Sequence, residues 1–317
     1  MPQISEKLER CTFFLFGENP KTGEMEIGGT GCIVMYNIGV KVPSFYAVTN
    51  WHVVTGGASN IRLNLYPDGS EIVKFDPSEW TLIKDYDLAV IDITENIAEE
   101  KHLVAAIGLH QFVDQFAVEH DELYIGDDVF MMGLFSNYYH DDKNTPVARF
   151  GNICRPEERR YPVTIEGVTE TPCHLVDMRS RPGHSGSPVW IYRTPATDLS
   201  DFHAGGGPID MRQESSRGGR TTEHAEWAIK PNNTNMFLRF LGIHSSQFQE
   251  RIRAEVVKSG ERIGDHLKEG DNLSIPSSVT IVIPSYRIAE VLTRREIVDK
   301  RIQRDEEYLR NKESETG

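Results

Sequence analysis

The hexapeptide Gly183-His184-Ser185-Gly186-Ser187-Pro188 sets a serine between two glycines, and its reading governs that of the whole chain. A serine hydroxyl is a weak nucleophile near neutral pH, so it reacts only with a base in hydrogen-bonding reach and donors for the oxyanion formed on attack. Glycines at 183 and 186, lacking Cβ atoms, permit the tight turn that aims the backbone N–H groups of Gly183 and Ser185 at one spot. A glycine- and serine-rich surface turn could produce the same hexapeptide, so its weight depends on what else the chain supplies.

Upstream, Thr49-Asn50-Trp51-His52-Val53-Val54 follows the apolar run Phe45–Thr49 and places an imidazole at a strand end, where it can face a cleft. A lone histidine there is more commonly a packed one, bonded to a backbone carbonyl. Asp85-Tyr86-Asp87-Leu88-Ala89-Val90 offers two carboxylates. Asp87 is preferred over Asp85 because it abuts the buried run, from whose mouth it can hold a histidine in the required tautomer. Base, carboxylate and hydroxyl thus occur in the order His52, Asp87, Ser185.

The surroundings read as strands. Short apolar runs such as Thr12–Phe16, Thr30–Met35, Phe45–Thr49, Ile61–Leu65 and Leu88–Ile93 alternate with Gly, Asn, Asp and Pro. That pattern predicts antiparallel strands of a sandwich or barrel. A second series runs from Asp128–Gly133 through Ala148–Ile153, His174–Asp177, Pro188–Tyr192 and Phe237–His244 to Val279–Pro284. The expected division is a first β unit over 1–120 carrying His52 and Asp87, and a second over 121–284 carrying Ser185. The stretch 193–235, with Gly205-Gly206-Gly207-Pro208 and few large aliphatics, reads as a mobile insertion. Over 285–317, Ile288, Val291, Leu292, Ile297, Val298 and Ile302 recur at helical spacing with Ser285 as N-cap, and a charged tail follows.

Composition narrows the class. The chain has 317 residues, 38% of them hydrophobic, and a formal charge of −14. Such a charge argues against nucleic-acid binding, which calls for a basic stripe. No apolar run approaches the roughly 20 residues that span a bilayer, and Thr12–Phe16 is too short and wrongly flanked for a secretory signal. Cys11, Cys32, Cys154 and Cys173 are scattered, with no C-x-x-C pair, which predicts free thiols and a cytoplasmic setting. His140-Asp141-Asp142 reads as a solvated turn, because adjacent loop residues rarely converge on one ion. Neither a metal nor a cofactor is expected.

The three motifs in this order resemble those of trypsin-like serine peptidases of the chymotrypsin fold, with bacterial glutamyl endopeptidases and the HtrA type nearest in flavour. The resemblance covers roughly Cys11 to Leu292, but only the stretches around His52, Asp87, Ser185 and Gly242-Ile243-His244 are specific. It implies an all-β protein of two antiparallel, six-stranded-type β-barrels with a C-terminal helix. It also implies a serine endopeptidase acting on protein or peptide substrates: His52 as base and then acid, Asp87 orienting it, Ser185 forming the acyl-enzyme, and Gly183 with Ser185 as oxyanion hole. Ser180, His244 and Ser245 fall where a substrate pocket is expected. A histidine and a hydroxyl there, with Arg179 or Arg181, suit an acidic side chain. His184 replaces the aspartate found before the nucleophile in animal digestive enzymes, and no Ile-Val-Gly-Gly N-terminus is present, so activation through a newly cut amino terminus is not expected. The competing reading is a protease-fold binding or scaffold module, with the insertion or tail engaging a regulatory partner.

Overall fold

In the computed structural model of the chain, the apolar run Thr12–Phe16 lies in β1 (Thr12–Glu18) and is buried throughout. The structure describes residues 4–98, 100–119, 123–136, 142–158, 162–164, 170–180, 183–193, 237–253 and 272–316. Apart from its first residue, the insertion predicted at 193–235 lies outside them, as do His140 and Asp141. Successive strand residues face opposite ways. Phe13 and Leu15 therefore join a cluster with Ile33, Ala47, Ile61 and Ala89, while Phe14 and Phe16 pack on Leu134 from the second half of the chain. The unbroken apolar run reflects burial on both faces.

Seven further strands complete this first unit: β2 (Met25–Tyr36), β3 (Ser44–Thr49), β4 (Asn60–Asn64), β5 (Ser70–Val73), β6 (Thr81–Ile83), β7 (Leu88–Asp92) and β8 (Ile107–Gly108). Their order is β5-β4-β1-β2-β3-β7-β6, with β8 parallel to β2. The central strands are two-sided as well. Ile33, Ala47, Ala89 and Ile91 face the unit's own core, whereas Cys32, Val34, Tyr46, Val48, Leu88 and Val90 belong to a cluster shared with Phe130, Trp190, Phe240 and Ile283 of the second unit. Burying each large side chain of that seam contributes roughly 1.5–3 kcal/mol, which holds the two units together.

The second unit is a closed barrel, β10-β13-β16-β15-β14-β9. Its strands are β9 (Asp128–Gly133), β10 (Val147–Arg155), β13 (His174–Asp177), β14 (Pro188–Arg193), β15 (Phe237–Arg253) and β16 (Asn272–Pro284), and a two-stranded ribbon pairs β11 (Val163–Thr164) with β12 (Glu170–Thr171). Strands β15 and β16 pair as far out as Arg253 and Asn272, well past the His244 at which the sequence pattern stops. Three short α-helices are α1 (Glu6–Glu9), α2 (Trp51–Thr55) and α3 (Gln115–Glu119).

Two helices end the chain, α4 (Ser285–Leu292) and α5 (Arg295–Thr316). The N-cap position of α4 falls to Pro284 rather than Ser285, whose hydroxyl donates instead to the Val113 carbonyl at 2.8 Å. α5 continues through the charged run that the sequence left as a tail. Arg301, only 4% exposed, donates to Tyr46 Oη and to the Leu292 carbonyl, and Arg304 pairs with Asp92. The architecture is all-β with C-terminal helices, the chymotrypsin-like double-barrel fold. Among the described residues no helix is long and apolar enough to cross a membrane, and the four cysteines are free.

Candidate active site

His52 does not continue β3 but sits in the first turn of α2, held there by buried Val53 and Val54. Asn50, at the N-cap position, turns its amide away and donates to the Asp87 carbonyl at 3.0 Å. Asp87 closes the 3-10 turn Lys84–Tyr86 at φ 50°, ψ 43°, the one non-glycine residue with positive φ among those described. Asp tolerates that left-handed backbone better than most residues, and such conformations cluster at working sites.

The consequence of that turn is a fully buried carboxylate aimed at His52. Both Asp87 oxygens lie 3.0 Å from His52 Nδ1, and Oδ1 also accepts the His52 backbone N–H at 3.1 Å. Asp85 is exposed and takes no part. A carboxylate on Nδ1 keeps the proton on that nitrogen and leaves Nε2 as the acceptor. The His52 side chain is 38% exposed, so its outer edge meets solvent.

Ser245 joins the two halves of the constellation. Its hydroxyl donates to Asp87 Oδ2 at 2.5 Å, and its carbonyl accepts the Ser185 hydroxyl at 3.2 Å. The sequence places Ser245 in the substrate pocket; the structure turns its side chain inward onto the carboxylate. Ser185 makes no hydrogen bond to His52 in this structure, and catalytic contacts commonly tighten only when substrate is bound.

The turn that carries Ser185 has the form its glycines imply. Gly183 and Gly186 adopt φ values of 96° and 83°. At Gly186 a Cβ would stand 1.9 Å from the Thr30 carbonyl oxygen. The Ser185 carbonyl accepts from the Thr30 amide at 2.9 Å, while no described acceptor takes the N–H of Gly183 or of Ser185. Among the described residues nothing takes up those two amides.

The other residues expected to line a substrate pocket are recessed. Ser180 is 8% exposed and His244 3%. Burial, with His184 and His52 nearby, pushes the His244 imidazole down to about 3. It is therefore neutral at ordinary pH and offers an N–H but no positive charge. Arg179 is exposed, and Arg181 lies outside the described residues. Trp190 is core, while Trp51 carries the Lys84 ammonium over its ring at 5.4 Å. No cluster of three potential metal ligands occurs among the described residues.

The fold and these side chains define a chymotrypsin-like β-barrel protein with a histidine and an aspartate on one unit and a glycine-flanked serine on the other. No family model and no curated protein matches the sequence. Solved structures similar to the chain include the HtrA-type protease AlgW with a decapeptide, at TM-score 0.45 and 14% identity, over 93% of this chain and 66% of that one. The chain thus spans slightly under two thirds of AlgW's length. The inactive form of the Rv3671c protease is similar at TM-score 0.42 and 14% identity, over 90% of this chain and 88% of that one. A serine-to-alanine mutant of Rv3671c from M. tuberculosis H37Rv, also an inactive form, gives TM-score 0.33 and 13% identity over 61% and 87%.

Sequence reasoning passed over Thr30 and Asn50; it expected Ser245 in a substrate pocket, whereas the Ser245 hydroxyl bonds the Asp87 carboxylate. Thr30 stands in Gly28-Gly29-Thr30-Gly31, where nothing local marks it. The partners of its hydroxyl, Gly183 and Leu134, are more than a hundred residues away.

Proposed function

We propose that the protein is a serine endopeptidase in which His52, Asp87 and Ser185 form the catalytic triad. The observation that carries this reading is the buried Asp87 carboxylate held 3.0 Å from His52 Nδ1 by a hydrogen bond from Ser245. In the first step His52 Nε2 takes the Ser185 hydroxyl proton as the oxygen attacks the scissile carbonyl carbon. The resulting oxyanion is bound by the N–H groups of Gly183 and Ser185. His52 then gives the proton to the departing amine, leaving an acyl-enzyme, and water repeats the cycle to release the acid. Losing one oxyanion donor in such sites costs on the order of a hundredfold to a thousandfold in turnover.

The residue before the scissile bond is acidic in this reading. His244 contributes one N–H to the carboxylate, and the charge complement comes from Arg179 or Arg181. The four free thiols support a reducing, cytoplasmic setting.

The test is a peptide library and a fluorophosphonate probe, each applied to wild type and Ser185→Ala. Wild type is expected to cleave after Glu or Asp and to take up label, with both lost in the variant. Cleavage or labelling that survives Ser185→Ala removes Ser185 as nucleophile. Cleavage after basic or aliphatic residues removes the His244 assignment alone. Stoichiometric peptide binding with neither labelling nor turnover establishes a protease-fold binding module instead.

A further inference from the structure

The turn that carries Ser185 is fastened from the opposite unit by one side chain. Thr30, on β2, is fully buried. Its hydroxyl donates to the Gly183 carbonyl at 2.7 Å and accepts the Leu134 N–H at 3.0 Å. Its backbone N–H donates to the Ser185 carbonyl at 2.9 Å, and its own carbonyl accepts the Thr49 hydroxyl at 2.7 Å. Because an amide can only donate, the Leu134 contact fixes the threonine oxygen as acceptor on that side and directs its single proton to Gly183. The hydrogen-bond direction leaves no second arrangement.

The placement matters because the two carbonyls held by Thr30 belong to the two residues whose amides are open. Gly183 has no Cβ to restrict its torsions, so the orientation of its peptide planes depends on outside contacts. Leu134 supplies one, with its side chain about 3.0 Å from where a Gly183 Cβ would stand. The Thr30 hydroxyl supplies the other and is polar and directional.

We propose that the Thr30 hydroxyl is a positioning group for the oxyanion site: it fixes the Gly183–His184 peptide plane, which lies between the planes carrying the Gly183 and Ser185 N–H groups, and so limits how far those two amides can turn relative to each other. This rests on the reading of Ser185 as nucleophile. Thr30 touches no reacting atom; it acts through the turn. Misplacement of a reacting group by about 1 Å can cost roughly a hundredfold in rate.

Thr30→Val keeps the shape and removes the hydroxyl, whereas Thr30→Ser keeps the hydroxyl and removes a methyl group. With a peptide ester and a peptide amide substrate, Thr30→Val is expected to lower kcat by about ten- to a hundredfold with KM changed by less than about threefold. Affinity for a peptide aldehyde, which binds as a tetrahedral adduct, should fall in step with kcat/KM, while affinity for a product peptide stays. Thr30→Ser recovers most of the loss. A role confined to stability would lower the unfolding temperature without splitting kcat from KM or aldehyde from product, so melting curves accompany the kinetics and rates are taken well below the transition. If Thr30→Val does not fold, Thr30→Ala is measured in its place with the same split expected. Wild-type kcat and aldehyde affinity in a folded variant lacking the hydroxyl overturns the proposal. Wild-type protein that neither cleaves nor labels overturns the nucleophile reading and this one with it.

Discussion

Asp87 concentrates more of the chemistry than any other single residue. Its carboxylate meets the His52 ring, the His52 amide and the Ser245 hydroxyl. Asp87→Asn preserves size but puts an amide where Nδ1 needs an acceptor, which favours the wrong histidine tautomer. The expected outcome is a fall in kcat on the order of ten-thousandfold with the fold intact, read from steady-state rates beside circular dichroism; a loss under tenfold would remove Asp87 from the triad. Gly186 shows the other kind of residue-level constraint. At φ 83°, with the Thr30 carbonyl oxygen 1.9 Å from a would-be Cβ, it admits no side chain unless the β2 backbone moves. Gly186→Ala should lower stability by at least about 1–3 kcal/mol, measured by urea unfolding. Near-wild-type stability would mean that the turn and β2 can separate at little cost.

At the scale of elements, strands and the start of the C-terminal helices are legible in the sequence because burial imposes periodicity. Runs such as Leu88–Ile91 and Val189–Ile191 are unbroken because the fold buries both of their faces. What is not legible is anything decided by distant partners. The charged stretch after Ile302 has no apolar stripe, yet it is rich in good helix formers. It is also anchored from afar: the Asp305 carboxylate accepts the backbone N–H groups of Lys41 and Val42 at 2.9 Å, and Arg304 reaches Ser44 and Asp92. His52, Asp87 and Ser185 could be singled out because each lies beside a strand; the bond from Ser245 to Asp87 could not, since residues 245 and 246 fall in a register shift between β15 and β16. Arg301 tests the docking of α5. Its guanidinium lies 3.7 Å from the Tyr36 ring centroid and bonds Tyr46 and the Leu292 carbonyl. Arg301→Ala should cost about 2–4 kcal/mol through lost packing and two deprived buried groups. Leu309→Ala, on the exposed face of the same helix, should stay within about 0.5 kcal/mol. Chemical denaturation of the pair decides, and equal effects would place the anchor elsewhere.

For the whole molecule, two buried imidazoles, His174 and His244, bear on how the fold answers to acid. His174 accepts the Glu157 N–H on Nδ1 at 2.9 Å. Burial pushes both His174 and His244 down to about 3 from an ordinary value near 6.5, with His184 and His52 adding to the effect at His244. Between those two values the unfolded chain binds protons that the folded chain refuses, so stability rises with pH through that window. The contribution is complete above about pH 6.5 and is lost progressively as pH falls toward 3. At pH 5 each histidine has given up about 2 kcal/mol relative to pH 8, and the pair about 4. Against a usual total of about 5–15 kcal/mol, that is enough to bring unfolding close. Urea midpoints at pH 8 and pH 5 measure it. His174→Asn, which keeps an acceptor for the Glu157 N–H but cannot titrate, should reduce the loss by about half. A midpoint that does not move between pH 8 and pH 5 would show that these imidazoles gain water or a partner when protonated. Because the His244 backbone is hydrogen-bonded to Gly186 and Ser187 of the turn that carries Ser185, any activity should disappear over the same pH range as the fold.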